Sequence, residues 1–414
     1  MKERLYNPKT LEPQPFVTEA VAHEVESINK VDFPEVAELV KNAEIPLFFR
    51  MYKVVPRDKS FGITVDGEET HFRTGKIRNT FVTDRNGLRW IISAKGMGLL
   101  DSHSEDMLDL NYDDLTVRHW HRETSDGKRD PKVWGLNDMA SIRHAEKYYE
   151  IFEKLGIRVT KFIASARLKS LIIGDTTVPV QNIPRISAEE DEAFMRSPPS
   201  SRREIPLTHS LPENFDPGIE IDAFRIKTRL DQIHEATQMK DSSYIRTNVE
   251  KAITLISEEP GMSNMSVEEY LNWFVKKIGE DLGTMHGAGH VHGSLHSNIT
   301  LDCRITDLDS PMTLDEICAE DRKNPAKRIE YRDFIFEEAS NYDAMQGDVW
   351  SLIDIITFIK EVRAAFSLPE LSDATIARDF ANAYARSYST QRGEDLRVPA
   401  HIRLPGKEEL FEGI

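Results

Sequence analysis

The chain has 414 residues, of which 39% are hydrophobic and 30% are charged, which is typical of a globular protein rather than a disordered one. Its length exceeds that of an average domain, so we expect two domains. The formal net charge of −17 argues against binding to nucleic acid or to an anionic membrane surface. The two cysteines, Cys303 and Cys318, are too few for a disulfide framework. With no apolar signal core and no run of the roughly 20 apolar residues that a membrane helix needs, the sequence predicts a cytoplasmic protein.

The first half of the chain is predicted to form an antiparallel sheet and one helix. Residues 46–98 consist of short β-rich runs separated by turn signals, of which Asn86-Gly87 is typical of a hairpin. A strongly charged stretch at 100–134 is interpreted as an insertion. Apolar residues at three- and four-residue spacing then predict a helix from Asn137 to Leu155, with Asn137 as its N-cap and Gly156 at its end. We expect this helix to pack against the sheet.

The second half is predicted to be helical. Ser266 and Glu269 form a capping box at the start of a helix that reaches about His286. A largely apolar helix is predicted from Asp348 to Val362.

These elements predict the domain organisation. Residues 1–185 are predicted to form a β-rich N-lobe that carries an N-terminal extension and the inserted stretch. Residues 186–217, rich in Ser, Pro, Glu and Arg, are predicted to be a flexible connection, and residues 218–414 a helical C-lobe that carries the metal-binding and catalytic loop. The fold class is therefore predicted to be α+β, in the order of a protein kinase-like bilobal fold.

The segment His292-Gly-Ser-Leu-His-Ser-Asn298 resembles the H-R-D-x-x-x-x-N catalytic loop of protein kinases. Ser294 stands where a kinase has its catalytic Asp. An amide oxygen and a carboxylate nine residues apart can converge across a short hairpin on one hard cation. We therefore predict that Asn298 and Asp307 bind Mg²⁺ or Mn²⁺, with Asp309 as a further ligand. The alternative is a hydrogen-bonded loop without metal.

A second run downstream also resembles protein kinases. Gly347-Asp-Val-Trp-Ser-Leu352 is similar to the D-V-W-S-x-G run that begins a buried helix of the kinase C-lobe. In kinases the Asp of this run supports the backbone of the catalytic loop, which implies the same role for Asp348.

Two charged residues of the first half complete a predicted ATP site. Lys95 ends the strand-like run W-I-I-S-A-K, where a kinase places the lysine that contacts the nucleotide phosphates. Glu146, on the following helix, is predicted to hold Lys95, with Glu150 one turn later as its rival. An ordinary strand-end lysine and a solvated helix face are the structural alternatives.

The run N-G-L-R-W-I-I-S-A-K-G-M-G, residues 86–98, resembles the G-x-R-W-E-L-Q-L-K-G-A-G run of the selenoprotein O family, the kinase-like protein adenylyltransferases. The helix that contains S-I-R and Glu146 is similar to that family's S-I-R-E-F helix, and the Asn-to-Asp spacing of the loop is the same. The resemblance implies that ATP binds in an inverted orientation and that AMP is transferred to a hydroxyl on a protein.

The resemblance also implies roles for individual residues. Lys95, Gly96 and Gly98 would bind the nucleotide, and Arg225 and Arg229 of the run F-R-I-K-T-R would contact phosphates. Glu146, Ser297 and Asn298 are the candidate catalytic residues. The sequence departs from the family at Ser297, which stands where the family has its catalytic Asp, and the family's T-P-Y-S-R run and C-terminal cysteine are missing.

Three other functions stay open on the sequence. The histidines of the loop region can be compared with zinc hydrolases that contain an H-x-H core; they are His286, His290, His292 and His296. Because the catalytic base is unassigned, the chain can also be a pseudokinase scaffold. The run H-G-S-L-H echoes the H-G-D-L-H-x-x-N loop of small-molecule kinases, which favours a phosphotransferase or nucleotidyltransferase with a small-molecule acceptor.

Overall fold

The computed structural model describes part of the chain. The described residues are 17–34, 64–65, 68–69, 74–75, 81–95, 137–173, 176–182, 185–186, 211–212, 215–293, 295, 298–316, 330–331, 334–335, 345 and 347–395. The predicted insertion at 100–134 and most of the predicted connection at 186–217 lie outside these residues.

Strands are found mainly in the first half of the described chain. They are β1 Val17–Ile28, β2 Thr64–Val65, β3 Glu68–Glu69, β4 Thr74–Gly75, β5 Phe81–Thr83, β6 Arg89–Lys95, β7 Asn137–Asp138, β8 Lys161–Ile173, β9 Thr176–Pro179, β10 Arg185–Ile186, β11 Leu211–Pro212, β12 Pro217–Phe224, β13 His290–Val291, β14 Met312–Thr313, β15 Glu330–Tyr331 and β16 Phe334–Ile335.

The α-helices lie mainly in the second half. They are α1 Met139–Lys154, α2 Leu230–Gln238, α3 Ser242–Ser257, α4 Val267–Gly287, α5 Ser351–Ala365 and α6 Asp373–Arg392. Among the described helices, none has both the length and the hydropathy to cross a membrane.

The chain divides into two compact units. The sheet unit contains Met1–Arg143 and Phe162–Phe224, and the helical unit contains His144–Lys161 and Arg225–Ile414. The predicted α+β class, with a sheet-based part followed by a helical part, is confirmed. The unit boundaries differ from the predicted lobes. Strand β12 remains in the sheet unit because it is hydrogen-bonded between β8 and β6.

In the sheet unit, eight of the described strands form one sheet with the central order β1-β8-β12-β6-β4. Strand β5 also pairs with β6, β7 with β12, and β9 with β8. The pairs β1–β8, β12–β6 and β5–β6 are antiparallel, and the last of them lies in the stretch where the turn signals predicted an antiparallel sheet. Strand β12 is buried along its whole length, which is the environment of a central strand covered on both faces.

The predicted Asn86-Gly87 hairpin is present between β5 and β6. Gly87 has φ +79°, a backbone region that favours glycine, and the Asp84 amide donates to the Leu88 carbonyl at 2.9 Å. The Asp84 carboxylate stabilises the turn, because its Oδ1 accepts hydrogen bonds from the amides of Asn86 and Leu88 and its Oδ2 accepts one from Trp90 Nε1. The turn is thereby tied to the core, where the Trp90 ring lies edge-on to Phe33 at 6.1 Å between ring centroids.

Strand β1 was not predicted. Apolar residues recur in it at Val17, Val21, Val25 and Ile28, without the alternation of a half-buried strand. The structure explains this pattern, because the pairing of β1 with β8 shifts register at several points, as at a β-bulge. Such shifts interrupt the regular ladder, so the sequence of a strand that contains them need not keep a strict period of two.

Helix α1 begins two residues later than predicted. Asn137 lies in β7, and the side chain that caps the helix is Asp138, whose Oδ1 accepts a hydrogen bond from the Ala140 amide at 2.7 Å. Gly156 ends the helix as predicted, with φ +74° and a hydrogen bond from the Ile157 amide to the Phe152 carbonyl.

Helix α4 begins at the predicted capping box and packs closely on α6. The Ser266 side chain accepts a hydrogen bond from the Glu269 amide, and the Glu269 carboxylate accepts one from the Ser266 amide at 2.8 Å. Three glycines at four-residue spacing face α6, namely Gly279, Gly283 and Gly287. A Cβ atom at Gly283 would lie 2.3 Å from the Tyr384 carbonyl oxygen, so the two backbones approach too closely for any side chain there.

Candidate functional site

Asp348 organises the start of the kinase-like loop in the helical unit. Its carboxylate accepts hydrogen bonds from the backbone amides of His292 at 2.6 Å and Gly293 at 2.9 Å. Asp348 is only 1% exposed and also contacts His286, whose other ring nitrogen is 2.7 Å from the Tyr384 hydroxyl. A buried carboxylate that receives two amide donors is strongly localised, because charge-assisted hydrogen bonds are shorter and stronger than neutral ones. The supporting role predicted for Asp348 is therefore observed.

His292 fixes the far end of the same loop. Its Nε2 lies 2.8 Å from the carbonyl oxygen of Thr306, and its side chain is fully buried. The Thr306 amide in turn donates to the Asn298 carbonyl at 2.9 Å. Loop start and loop end are thus joined directly through one imidazole.

Asn298 and Asp307 lie at the two ends of a hairpin, as their spacing predicted. Ile299 and Ile305 form an antiparallel bridge, and the Thr300 amide donates to the Arg304 carbonyl at 3.0 Å. Asp307 adopts φ +63°, a left-handed conformation that costs about 1–3 kcal/mol for a non-glycine residue. That cost must be offset by the contacts that hold the hairpin.

The hairpin is held on both sides by backbone pairing. On one side, the Ile305 amide donates to the Arg158 carbonyl and the Thr160 amide donates to the Ile305 carbonyl. On the other, the Leu301 amide donates to the Thr228 carbonyl at 2.9 Å and the Leu230 amide to the Ile299 carbonyl at 3.3 Å. Two segments distant in sequence therefore fix the positions of Asn298 and Asp307.

A buried ion cluster lies beside the hairpin and was not predicted. The Glu259 carboxylate accepts hydrogen bonds from the two terminal guanidinium nitrogens of Arg158, at 2.6 and 3.0 Å, and from one terminal nitrogen of Arg304 at 2.8 Å. Arg304 also binds Asp302 at 2.8 Å. Burial by itself raises the pKa of Glu259, but Arg304 and Arg158 together lower that pKa to about 2. The cluster therefore contains a carboxylate that stays ionised at neutral pH.

Asp281 of α4 extends this cluster with the opposite pKa shift. It accepts the Arg158 amide at 3.2 Å and pairs with Lys277 at 2.7 Å. Burial raises the pKa of Asp281 to about 6, against the lowering effect of Lys277 and Arg158.

The side chain of Asn298 is occupied by Arg229. Asn298 is 3% exposed, and its Oδ1 accepts a hydrogen bond from Arg229 Nη1 at 2.8 Å. The Thr306 hydroxyl approaches the same oxygen at 3.4 Å. The oxygen predicted to bind a metal therefore already receives a cationic donor.

The expected metal does not fit this arrangement. A divalent cation on Asn298 Oδ1 would share that oxygen with the Arg229 guanidinium, and two positive charges at such a distance repel strongly in a buried environment. Asp307 and Asp309 are partly exposed. Within the described part of the chain, no group of three or more His, Cys, Asp or Glu side chains is placed to hold a metal ion.

Arg225 has the environment of a structural residue. Its side chain is 0% exposed, forms an ion pair with Glu258 and donates to the Leu255 carbonyl at 3.1 Å. A buried guanidinium engaged in this way has no surface for a nucleotide phosphate. The predicted phosphate contact at Arg225 is therefore not part of the function proposed below.

In the sheet unit, Lys95 lies beside a carboxylate that the sequence did not single out. Glu220 of β12 is directly opposite Lys95 of β6 in the antiparallel register, which puts both side chains on one face. Lys95 Nζ lies 3.9 Å from Glu220 Oε1, and Asn137 Nδ2 donates to Glu220 Oε2 at 3.1 Å. Glu220 is 2% exposed and Lys95 is 19% exposed, so the pair is largely shielded from water.

The predicted partners of Lys95 lie on α1, within the helical unit. Glu146 is partly buried, whereas Glu150 is exposed and forms an ion pair with Lys154 at 3.4 Å. Exposure and this pairing argue against Glu150 as a site residue. Gly96, Gly98, Ser294 and Ser297 lie outside the described residues, so the predictions for them stay predictions.

The histidines do not form the predicted alternative zinc site among the described residues. His286 and His292 are fully buried and each is fixed to protein oxygen atoms, as described above. His290 packs edge-on against Tyr148 at 5.7 Å, and burial and Lys147 lower its pKa. His296 lies outside the described residues.

Comparisons with known proteins found likeness to solved structures but none in sequence. No protein-family model matches the chain, and no curated protein matches it in sequence. Among solved structures, the kinase domain of a specific rhoptry antigen of Toxoplasma gondii is similar to this chain, with 10% sequence identity and a TM-score of 0.27. The similarity covers 81% of this chain and 80% of that domain. At this TM-score we draw nothing about function from it.

Proposed function

We propose that this chain is an ATP-dependent transferase of the kinase-like fold that transfers AMP to a hydroxyl group of a protein. One observation carries the proposal: Asp348 and His292 hold both ends of the loop from 292 to 307 through buried hydrogen bonds. A loop held in this way serves to place groups against a bound ligand, and such positioning supplies most of the catalysis in kinase-like enzymes. The choice of AMP rests on the sequence resemblance around Lys95.

In the proposed reaction the acceptor oxygen forms a bond to the α-phosphorus of ATP. The bond from that phosphorus to the oxygen bridging to the β-phosphate breaks, pyrophosphate leaves, and the acceptor hydroxyl loses its proton to solvent. The Lys95 ammonium contacts the phosphates and stabilises the charge that develops on them. Glu220 holds that ammonium in place from the neighbouring strand.

A second candidate is a nucleotide-binding pseudokinase, and the contact between Arg229 and Asn298 favours it. A kinase-like loop whose asparagine oxygen is bound by an arginine retains its frame but lacks the usual metal ligand. Such a protein would bind ATP and transfer nothing.

Labelled ATP separates these functions. The full chain is incubated with a cell extract or with itself as acceptor and with ATP that carries the label on the α- or on the γ-phosphate. We expect the α label on protein, and we expect its loss in Lys95→Met but not in Lys154→Met, a matched change at an exposed lysine paired with Glu150. Transfer of the γ label instead would assign phosphate transfer, and label on a small molecule other than ATP and its hydrolysis products would assign a small-molecule acceptor. Binding of ATP without transfer of either label would assign the pseudokinase.

A further inference from the structure

The guanidinium of Arg229 stands where a kinase-like loop would hold a metal ion. Its Nη1 donates to Asn298 Oδ1 at 2.8 Å. The side-chain amide of Asn298 must turn its oxygen toward Arg229, because its nitrogen is a hydrogen-bond donor and would face the guanidinium donor. Asn298 is therefore oriented by a fixed cation of the protein itself.

Arg229 is anchored so that its charge stays near this oxygen. Its amide donates to Gln232 Oε1 at 3.0 Å at the start of α2. It also forms a β-bridge with Thr300 of the hairpin, and its neighbours Thr228 and Leu230 pair with that hairpin through backbone hydrogen bonds. The backbone of Arg229 and the residue it contacts thus belong to one hydrogen-bonded assembly.

This anchoring favours the Arg229 guanidinium over a divalent cation as the partner of the Asn298 side-chain oxygen. Moving Arg229 away from Asn298 to admit a divalent cation would break a charge-assisted hydrogen bond to a nearly buried oxygen. Arginine, in contrast, keeps its charge at all ordinary pH values and presents several donors in a plane, so one guanidinium can contact an amide oxygen and a phosphate together.

We propose that Arg229 replaces the divalent cation at Asn298 and that this chain binds the phosphates of a nucleoside triphosphate without a metal. The inference rests on the nucleotide binding proposed above and goes beyond it by naming the source of positive charge. A divalent cation is then unnecessary for binding, because the protein supplies the charge that the metal supplies in other kinase-like folds.

The test is calorimetric titration of the full chain with ATP, once in excess Mg²⁺ and once in excess EDTA. For the wild type we expect the Kd to change by less than about threefold on chelation. For Arg229→Gln, which keeps a donor but removes the charge, we expect binding in EDTA to weaken by about tenfold or more, and Mg²⁺ to restore part of it. Arg229→Lys should stay closer to the wild type in EDTA. Arg392→Gln, at an arginine 42% exposed and paired with Glu394, is the matched control and should behave as the wild type.

Each outcome decides the matter. Wild-type binding that requires Mg²⁺ overturns the role of Arg229 and leaves the proposed nucleotide binding intact. Binding by Arg229→Gln in EDTA that equals the wild type also overturns it. Absence of binding in both buffers, with the chain folded by circular dichroism, overturns the nucleotide binding and this inference together. The wild-type comparison stands even if a variant fails to fold.

Discussion

The backbone amide of His292 donates to the buried carboxylate of Asp348 at 2.6 Å, across 56 residues of sequence. This hydrogen bond fixes the loop start independently of Ser294, the residue at the position of a kinase catalytic Asp. The residues that fix the backbone of the loop therefore differ from the residue at the catalytic position. The backbone arrangement can be retained where the catalytic residue has changed.

Replacing Asp348 with Asn should destabilise the helical unit. The Asn side chain has the same shape but only one oxygen, and its NH₂ group would face the backbone N–H of either His292 or Gly293. One of these two backbone donors therefore loses its acceptor. We expect the free energy of unfolding to fall by about 2 kcal/mol, measured by urea denaturation. Asp315→Asn, at an exposed position, should change it by less than about 0.5 kcal/mol. Equal effects of the two changes would mean that the Asp348 contacts contribute nothing specific.

Replacing Gly283 with Ala should also destabilise the chain, although Ala normally favours a helix. The new methyl group would meet the Tyr384 carbonyl oxygen at 2.3 Å, so α4 and α6 must separate. Overpacking of this kind costs about 1–3 kcal/mol in free energy of unfolding. At Gly347 a Cβ atom meets nothing within 4 Å, so Gly347→Ala should be neutral or stabilise by up to about 1 kcal/mol. Urea unfolding of both variants tests the contrast, and a Gly283→Ala chain as stable as the wild type would contradict the close approach of the helices.

Stability should depend on pH in opposite directions through Glu259 and Asp281. The folded-state pKa of Glu259 is about 2 against an ordinary 4.5, so its contribution is present above pH 4.5 and is lost as pH falls toward 2. The folded-state pKa of Asp281 is about 6 against an ordinary 3.8, so the folded state binds the extra proton. Its contribution is present below pH 3.8 and is lost as pH rises to 6.

The two variants Glu259→Gln and Asp281→Asn separate these effects. Each of the two pKa shifts corresponds to a change of about 3 kcal/mol in the free energy of unfolding across its pH range. Relative to the wild type, Asp281→Asn should flatten the fall in stability between about pH 4 and pH 6, and Glu259→Gln should flatten the loss below pH 4.5. The measurement is the urea midpoint from pH 3 to pH 8. Parallel pH profiles of stability for the wild type and Asp281→Asn would show that the pKa of Asp281 is not raised in the folded chain.

Glu220 should position Lys95 for nucleotide binding. Glu220→Gln keeps an acceptor for Asn137 but removes the charge that faces the Lys95 ammonium, so we expect the KM for ATP to rise by about tenfold with a smaller change in kcat. Glu220→Asp, which keeps the charge, should recover part of the affinity. Glu150→Gln, at an exposed glutamate, is the control. If Glu220→Gln leaves the KM unchanged while Glu146→Gln raises it, the helix glutamate predicted from the sequence is the partner that matters.

Local rules predicted much of the fold. The capping box of Ser266 and Glu269 and the turn at Asn86-Gly87 were correct because both depend on residues within four positions of each other. The hairpin between Asn298 and Asp307 followed from spacing alone. In contrast, β1 was missed because its register shifts hide the strand period.

The electrostatic part of the candidate site could not be predicted. Arg158 and Glu259 are 101 residues apart, and Arg229 and Asn298 are 69 residues apart. No local pattern pairs residues at such separations, because only the packed chain decides which cation meets which anion. The same holds for Glu220, which a strand register brings opposite Lys95.

The central proposal is that this chain binds ATP through Lys95, and titration calorimetry of the folded full chain with ATP tests it most directly. The account predicts saturable binding of one ATP per chain, weakened by about tenfold or more in Lys95→Met and unchanged in Lys154→Met. Absence of binding heat over a wide ATP range, from a chain shown to be folded, would contradict it.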